Sequence, residues 1–274
     1  MPVSVNIGGT YRNVSDIPLN IDGTYRNADG DVNIDGTWRA THRRTIPLSA
    51  LPVGSVIRIR VQGGFHEFII VHKGSPSVLY QGFESGAVVM LRNAQATGGV
   101  WGSYGWYAIN RGNNYENSVM HNSLNSSYFN MLPEFVRNRI MQIRIPFRPG
   151  SGPGTNVNSG ANGLQCRLFI PSFREVGGLS TIVVPEDGTR FEYFPAVNEF
   201  IQEARRRITQ QPNNPSPQPW WLRTPGTWWE SDATHFVTFA GTISTQNPSE
   251  THAARVTFVL PDTVEVNENG EVIT

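Results

Sequence analysis

The feature that most constrains this chain is a motif that it spells three times. Val5-Asn6-Ile7-Gly8-Gly9-Thr10-Tyr11-Arg12 returns as Leu19-Asn20-Ile21-Asp22-Gly23-Thr24-Tyr25-Arg26, and again as Val32-Asn33-Ile34-Asp35-Gly36-Thr37-Trp38-Arg39. Each copy is two short alternating runs around Gly-Gly or Asp-Gly, where glycine supplies the positive φ of a two-residue hairpin turn. The motif predicts three β-hairpins that begin 14 and then 13 residues apart. Alternation sets the aliphatic residue and the Ile of each copy on one side, which is too little apolar surface for a core. A two-stranded hairpin is marginal in water by itself. Residues 1–44 are therefore expected to be a docking arm, with Ile7, Tyr11, Ile21, Tyr25, Ile34 and Trp38 as its assembly residues.

Composition narrows the rest. Lysine plus arginine and aspartate plus glutamate each total 22, so the net charge is 0, which argues against a nucleic-acid binder. Charged residues are 16% of the chain, against about 25% in ordinary soluble domains. The 27 glycines, 19 prolines and 11% aromatics describe a loop-rich β protein built for recognition, not a bundle or a disordered tail. A single cysteine, Cys166, excludes a disulfide framework and a cysteine-based zinc module. No run of 18 apolar residues is present, so no membrane insertion is expected. The start, MPVSVNIGGTYRN, lacks the basic and apolar regions of a secretion signal. The expectation is synthesis in a cytoplasm, with any later exterior location reached inside an assembled particle.

Residues 45–274 read as one α+β domain. Strands are expected at Val56–Val61, Phe65–His72, Ala87–Arg92 and Arg167–Ile170, with paired strands around 234–243 and 252–260. Asn117 or Ser118 caps a helix with Val119, Leu124, Tyr128, Phe129 and Leu132 inward, and Pro133 opens a second short helix. A third helix is expected over Asn198–Ile208, and residues 149–163 form a glycine-rich surface loop.

Most chemical motifs fail on inspection. His66 and His72 are expected on one strand face, but with no third ligand for a metal. Asp29, Asp31, Asn33 and Asp35 imitate a calcium loop, yet Ile34 and Ala40 stand where glycine and glutamate are required. Gly150-Ser151-Gly152-Pro153-Gly154 has neither the lysine nor the strand-to-helix context of a phosphate loop. Cys166 lies in an apolar run and reads as a small buried hydrophobe. No metal or cofactor is implied.

The aromatic signal is stronger. In Trp220-Trp221-Leu222-Arg223 one tryptophan is expected in the core and the other under a loop. Arg223 is expected to brace loop carbonyls or a carboxylate from inside. Trp101, Tyr104, Trp106 and Tyr107, together with Trp228 and Trp229, stand in Gly- and Asn-rich stretches. There, rigid aromatic contact area suits protein or sugar recognition.

Four ordered segments carry a resemblance. Tyr115-Glu116-Asn117-Ser118 leading to Leu124-Asn125, Leu168-Phe169-Ile170-Pro171-Ser172 with Glu175-Val176-Gly177, Trp220 to Gly226, and Arg255 to Pro261 resemble the YENS…LN, FLLS..E.G, WWLRSPG and VRPAF.LP segments of the DUF6273 family. Val256 stands where that family has proline, and Thr224 where it has serine. The resemblance spans about 45–266 and implies a C-type-lectin-like domain, similar also to the formylglycine-generating-enzyme fold. Such a domain has a twisted antiparallel sheet, two or three helices and long loops. The cysteine pair of those enzymes and the calcium signature of animal lectins are absent, so neither activity is carried over. The N-terminal motifs resemble short modules of phage tail and baseplate-associated proteins.

These readings together predict a non-enzymatic phage virion or tail-like-particle component, a homo-trimer or higher. Its arm would bind other virion or tail proteins, and its aromatic loops would bind a host-surface glycan or protein. The rivals are a capsid decoration or collar protein, and an enzyme in which Glu116 or Glu175 supplies the acid.

Overall fold

In this computed structural model, only the backbone of six strands is described within residues 1–44. From residue 45 on, everything is described except 62–63, 95–103, 106–113, 150–155, 180–185, 196, 199–206, 212–213, 227–232, 249 and 274. The chain divides into two compact units, Met1–Ile46 and Pro47–Thr274.

In the first unit Val3–Ile7 pairs with Thr10–Val14, Pro18–Ile21 with Thr24–Asn27, and Asp31–Ile34 with Thr37–Ala40, all antiparallel. The three ladders share one register. Ile faces Thr beside the turn, Asn faces the aromatic residue next, and the aliphatic residue faces Arg after that. The Ile and aromatic assembly positions therefore fall in opposite alternation classes of each ladder.

The second unit is mixed α+β, mostly antiparallel strands with few helices. Its central sheet runs Thr257–Leu260, Ala87–Leu91, Gly64–Lys73, Val56–Val61. Val56–Val61 alternates buried Ile57, Ile59 and Val61 with more exposed arginines, the pattern of a sheet with one face on the core. Phe68 and Phe258 meet edge to face there, 5.1 Å apart.

A bulge changes what the histidines do. Val88 pairs with His72 but Val89 pairs with Ile70, so the ladder slips by one residue. That slip reverses the alternation. His66 lies on the side of Ile59, its cross-strand partner, whereas His72 turns to the other side, with Nδ1 3.0 Å from Glu192 Oε1 and its ring beside Phe191. The expected shared face does not exist.

Ser118 is the helix cap: its Oγ accepts from the His121 N–H at 3.0 Å. The helix Val119–Ser123 widens into a π segment over Leu124–Tyr128. The inward series becomes Met120, Leu124, Tyr128 and Leu132, which leaves Val119 41% exposed and Phe129 only half-buried. Pro133 precedes the short helix Glu134–Arg137 as expected.

Two further expectations are corrected. The strand near Cys166 is Leu164–Cys166, paired with Ile143–Ile145. Beyond it, the Arg167 and Leu168 amides donate to Asn125 Oδ1 at 3.0 Å instead of to a strand. Thr234–Val237 pairs with Ile243–Gln246, while Thr257–Leu260 joins the central sheet. Asn198 ends a parallel pair, Val197–Asn198 with Gly178–Leu179; residues 199–206 of the expected helix lie outside the described ones. Within the 149–163 stretch, Asn158 is held by a two-way backbone bond to Phe147.

Candidate functional site

The strand Trp220–Pro225 is buried along its whole length and pairs with Thr234–Val237. It carries Arg223 into the centre of the domain. The Arg223 guanidinium donates to Glu175 Oε1 and Oε2, each at 2.6 Å, and to the carbonyls of Pro146 (3.1 Å), Ile170 (2.9 Å) and Asp187 (2.8 Å). A guanidinium has five N–H groups, and all five are used. Burial works against its charge, but the Glu175 carboxylate outweighs it and holds the arginine pKa above its ordinary value.

Glu175 is held equally tightly. Ser172-Phe173-Arg174-Glu175 closes a capping box: the Ser172 N–H donates to Glu175 Oε2 at 2.9 Å and the Glu175 N–H to Ser172 Oγ at 3.2 Å. The Tyr80 hydroxyl donates to Glu175 Oε1 and accepts from the Thr189 N–H. A Cβ on Gly188 would fall 2.4 Å from Ser172 Oγ and 2.8 Å from Glu175 Cγ, so glycine is required for this close approach. Gly177 closes the turn at φ +74°, with Pro195 O 2.2 Å from where a Cβ would stand.

Asp187 completes the cluster. Its carboxyl group is fully buried, and among the described residues neither oxygen makes a close hydrogen bond. Burial raises its pKa to about 6 against the pull of Arg223 and Thr224. Arg223, Glu175 and Asp187 are all 0% exposed. Both Glu175 oxygens are taken up by Arg223, Tyr80 and the Ser172 N–H inside this closed cluster. A buried pair of this kind is strongly destabilising to break.

Two more arginines repeat the device. Arg207 donates to the carbonyls of Val176 and Gly177, both at 2.8 Å, and its own carbonyl accepts from Trp220 Nε1 at 2.9 Å. Arg255 donates to Leu91 O and lies 5.1 Å over the Trp220 ring; burial lowers its pKa to about 9. Trp221 packs on His252 and Phe236, with ring centroids at 4.5 and 5.9 Å. Both tryptophans are at 0% exposure, Trp220 against Arg207 and Arg255 and Trp221 against His252, the strand partner of Tyr104. Cys166 is buried as expected, its thiol pushed up to about 12 by burial.

The expected recognition residues are located less fully. Trp101, Trp106, Tyr107, Trp228 and Trp229 lie outside the described residues, and Tyr104 is described as a strand position only. What the structure gives is where their loops attach. Tyr104–Gly105 pairs antiparallel with Thr251–His252, next to the Trp221–His252–Phe236 stack. The Gly226 N–H donates to Ala233 O at 2.7 Å and closes the base of 227–232. Sequence reasoning missed Tyr80, Asp187 and Phe239; Phe239 is 65% exposed in the Val237–Ile243 turn. Only Phe239, an aromatic beside Ala240-Gly241, left a readable trace.

Fold and centre together define a class: an α+β domain whose irregular loops hang on buried arginines. The chain belongs to the DUF6273 family, a domain of unknown function, which matches residues 86–262. That span holds Glu175, Arg223 and Arg255, but not Tyr80 or the two strands that complete the central sheet. Two of the segments that carry the family resemblance therefore supply the two halves of the Arg223–Glu175 pair. No curated protein and no solved structure matches the chain.

Proposed function

We propose that this protein is a non-enzymatic component of a phage virion or tail-like particle. Its N-terminal hairpins anchor it, and a C-type-lectin-like domain presents aromatic loops to a host-surface glycan or protein. The observation that carries this reading is how the loops are rooted. The 104–105 pairing and the Gly226–Ala233 closure fix the feet of two Trp- and Tyr-bearing segments on a core whose charged centre is spent internally. Recognition residues on loops held by a rigid scaffold are the usual division of labour. Identical copies on one particle would add avidity to weak individual contacts.

The test is adsorption of full-length protein to host cells. Trp106→Ala and Trp228→Ala are expected to weaken it about tenfold or more each, the scale of an aromatic hot spot, with little change in melting temperature. Unchanged adsorption in both variants would leave the collar or decoration reading in its place.

A further inference from the structure

The three hairpins have a property that their shared register makes explicit. In a hairpin with a two-residue turn the pair flanking the turn exchanges both backbone bonds, and such pairs then alternate with pairs that exchange none. The bonded pairs are therefore Ile7–Thr10 and Val5–Arg12, Ile21–Thr24 and Leu19–Arg26, and Ile34–Thr37 and Val32–Arg39. The Asn–aromatic pairs between them, Asn6–Tyr11, Asn20–Tyr25 and Asn33–Trp38, direct their N–H and C=O groups away from the hairpin. Among the described residues each of the six strands is paired only with its own hairpin mate. Pro18, opposite Asn27, stands in the same outward class, where its missing N–H costs the hairpin nothing.

A row of open strand edges is a template for another strand. Here the edges are equivalent and recur at 14 and 13 residues along the chain. A partner that engages all three must carry edges at matching intervals, and a second copy of this chain does so.

Resting on the reading of residues 1–44 as an assembly arm, we propose that the hairpins join copies of this chain edge to edge. The first strand of each hairpin lies against the second strand of the corresponding hairpin in the next copy, through the amides of Asn6, Asn20 and Asn33 and of Tyr11, Tyr25 and Trp38. A head-to-tail pairing of this kind builds a ring of three or more copies where the rotation between neighbours closes, and a filament where it does not.

The test uses the full-length chain. Sedimentation over a wide concentration range is expected to give a multimer for the native protein. The triple variant Asn6→Pro, Asn20→Pro, Asn33→Pro keeps every intra-hairpin bond and is expected to run as a monomer, while Asn6→Ser, Asn20→Ser, Asn33→Ser stays assembled. Hydrogen exchange on the unmodified protein guards against simple unfolding of the proline variant. The Tyr11, Tyr25 and Trp38 amides should be as protected as those of Thr10, Thr24 and Thr37. A monomeric native chain, an assembled proline variant, or outward amides exchanging at free rates would each overturn the proposal. Protection that arises only when other particle proteins are added would overturn it too, and would leave the anchoring role standing.

Discussion

Asp187 is the residue whose environment departs furthest from what a carboxylate prefers. Burial raises its pKa from 3.8 to about 6, so the folded protein holds a proton that the unfolded chain has released. Its contribution to stability is complete below about pH 3.8 and is lost as the pH rises through about 6, a change on the order of 3 kcal/mol. His121 works the other way. Burial lowers its pKa from 6.5 to about 4, so its contribution is complete above pH 6.5 and is lost as the pH falls toward 4. Asp187→Asn removes the first slope and keeps the second. Urea midpoints at pH 4.5 and 7.5 should show the variant gaining on the native protein at the higher pH. Equal gains at both would contradict a proton on Asp187. At Arg223 the expected effect is larger: Arg223→Met leaves Glu175 buried without its partner and should cost about 3–5 kcal/mol, read as a loss of cooperative unfolding or a much reduced denaturation midpoint. Adding Glu175→Leu should recover part of that loss.

Among the elements, the short connectors between strands are set by single side chains. Asn125 illustrates this. Its Oδ1 accepts from Arg167 and Leu168, and its Nδ2 donates to Leu168 O at 2.8 Å, which ties the helix to the segment after Cys166. Asn125→Ala leaves the part-buried Leu168 N–H and C=O unmet, together with the exposed Arg167 N–H, and should cost roughly 2 kcal/mol, measurable by chemical denaturation; Asn125→Asp keeps the acceptor and should cost less. Gly177→Ala meets both a positive φ and the Pro195 carbonyl, and should prevent accumulation of soluble protein altogether.

The same elements show how much was legible in the sequence. Ser118, Arg223 and Cys166 could be read because their roles follow from local context: a cap before an apolar run, an arginine inside an aromatic strand, a small residue among apolar ones. The bulge between Ile70 and His72 could not, because Phe68-Ile69-Ile70-Val71 is apolar on both faces and shows no alternation to break. The π segment hid for a similar reason, since it changes the period within a helix too short to establish one. Tyr80 and Glu175 stand 95 residues apart, and nothing local to Tyr80 announces the contact.

At the scale of the whole molecule, the chain divides between Ile46 and Pro47. The unit after that boundary has its own apolar core, with Phe68, Val89, Leu222 and Phe258 all fully buried. Each such side chain contributes about 1.5–3 kcal/mol. A fragment of residues 45–274 should therefore unfold cooperatively, within a few degrees of the full chain in calorimetry. A fragment that fails to fold would mean that the hairpins are part of the domain.

The Gly226–Ala233 closure has one more consequence. Because the Gly226–Ala233 bond and the adjacent Pro225–Thr234 pair hold the two ends of that segment together, whatever is spliced between them inherits fixed anchor points. Foreign peptides grafted in place of 227–232 should therefore leave the melting temperature of the domain nearly unchanged, which makes this neck a natural place to insert sequence.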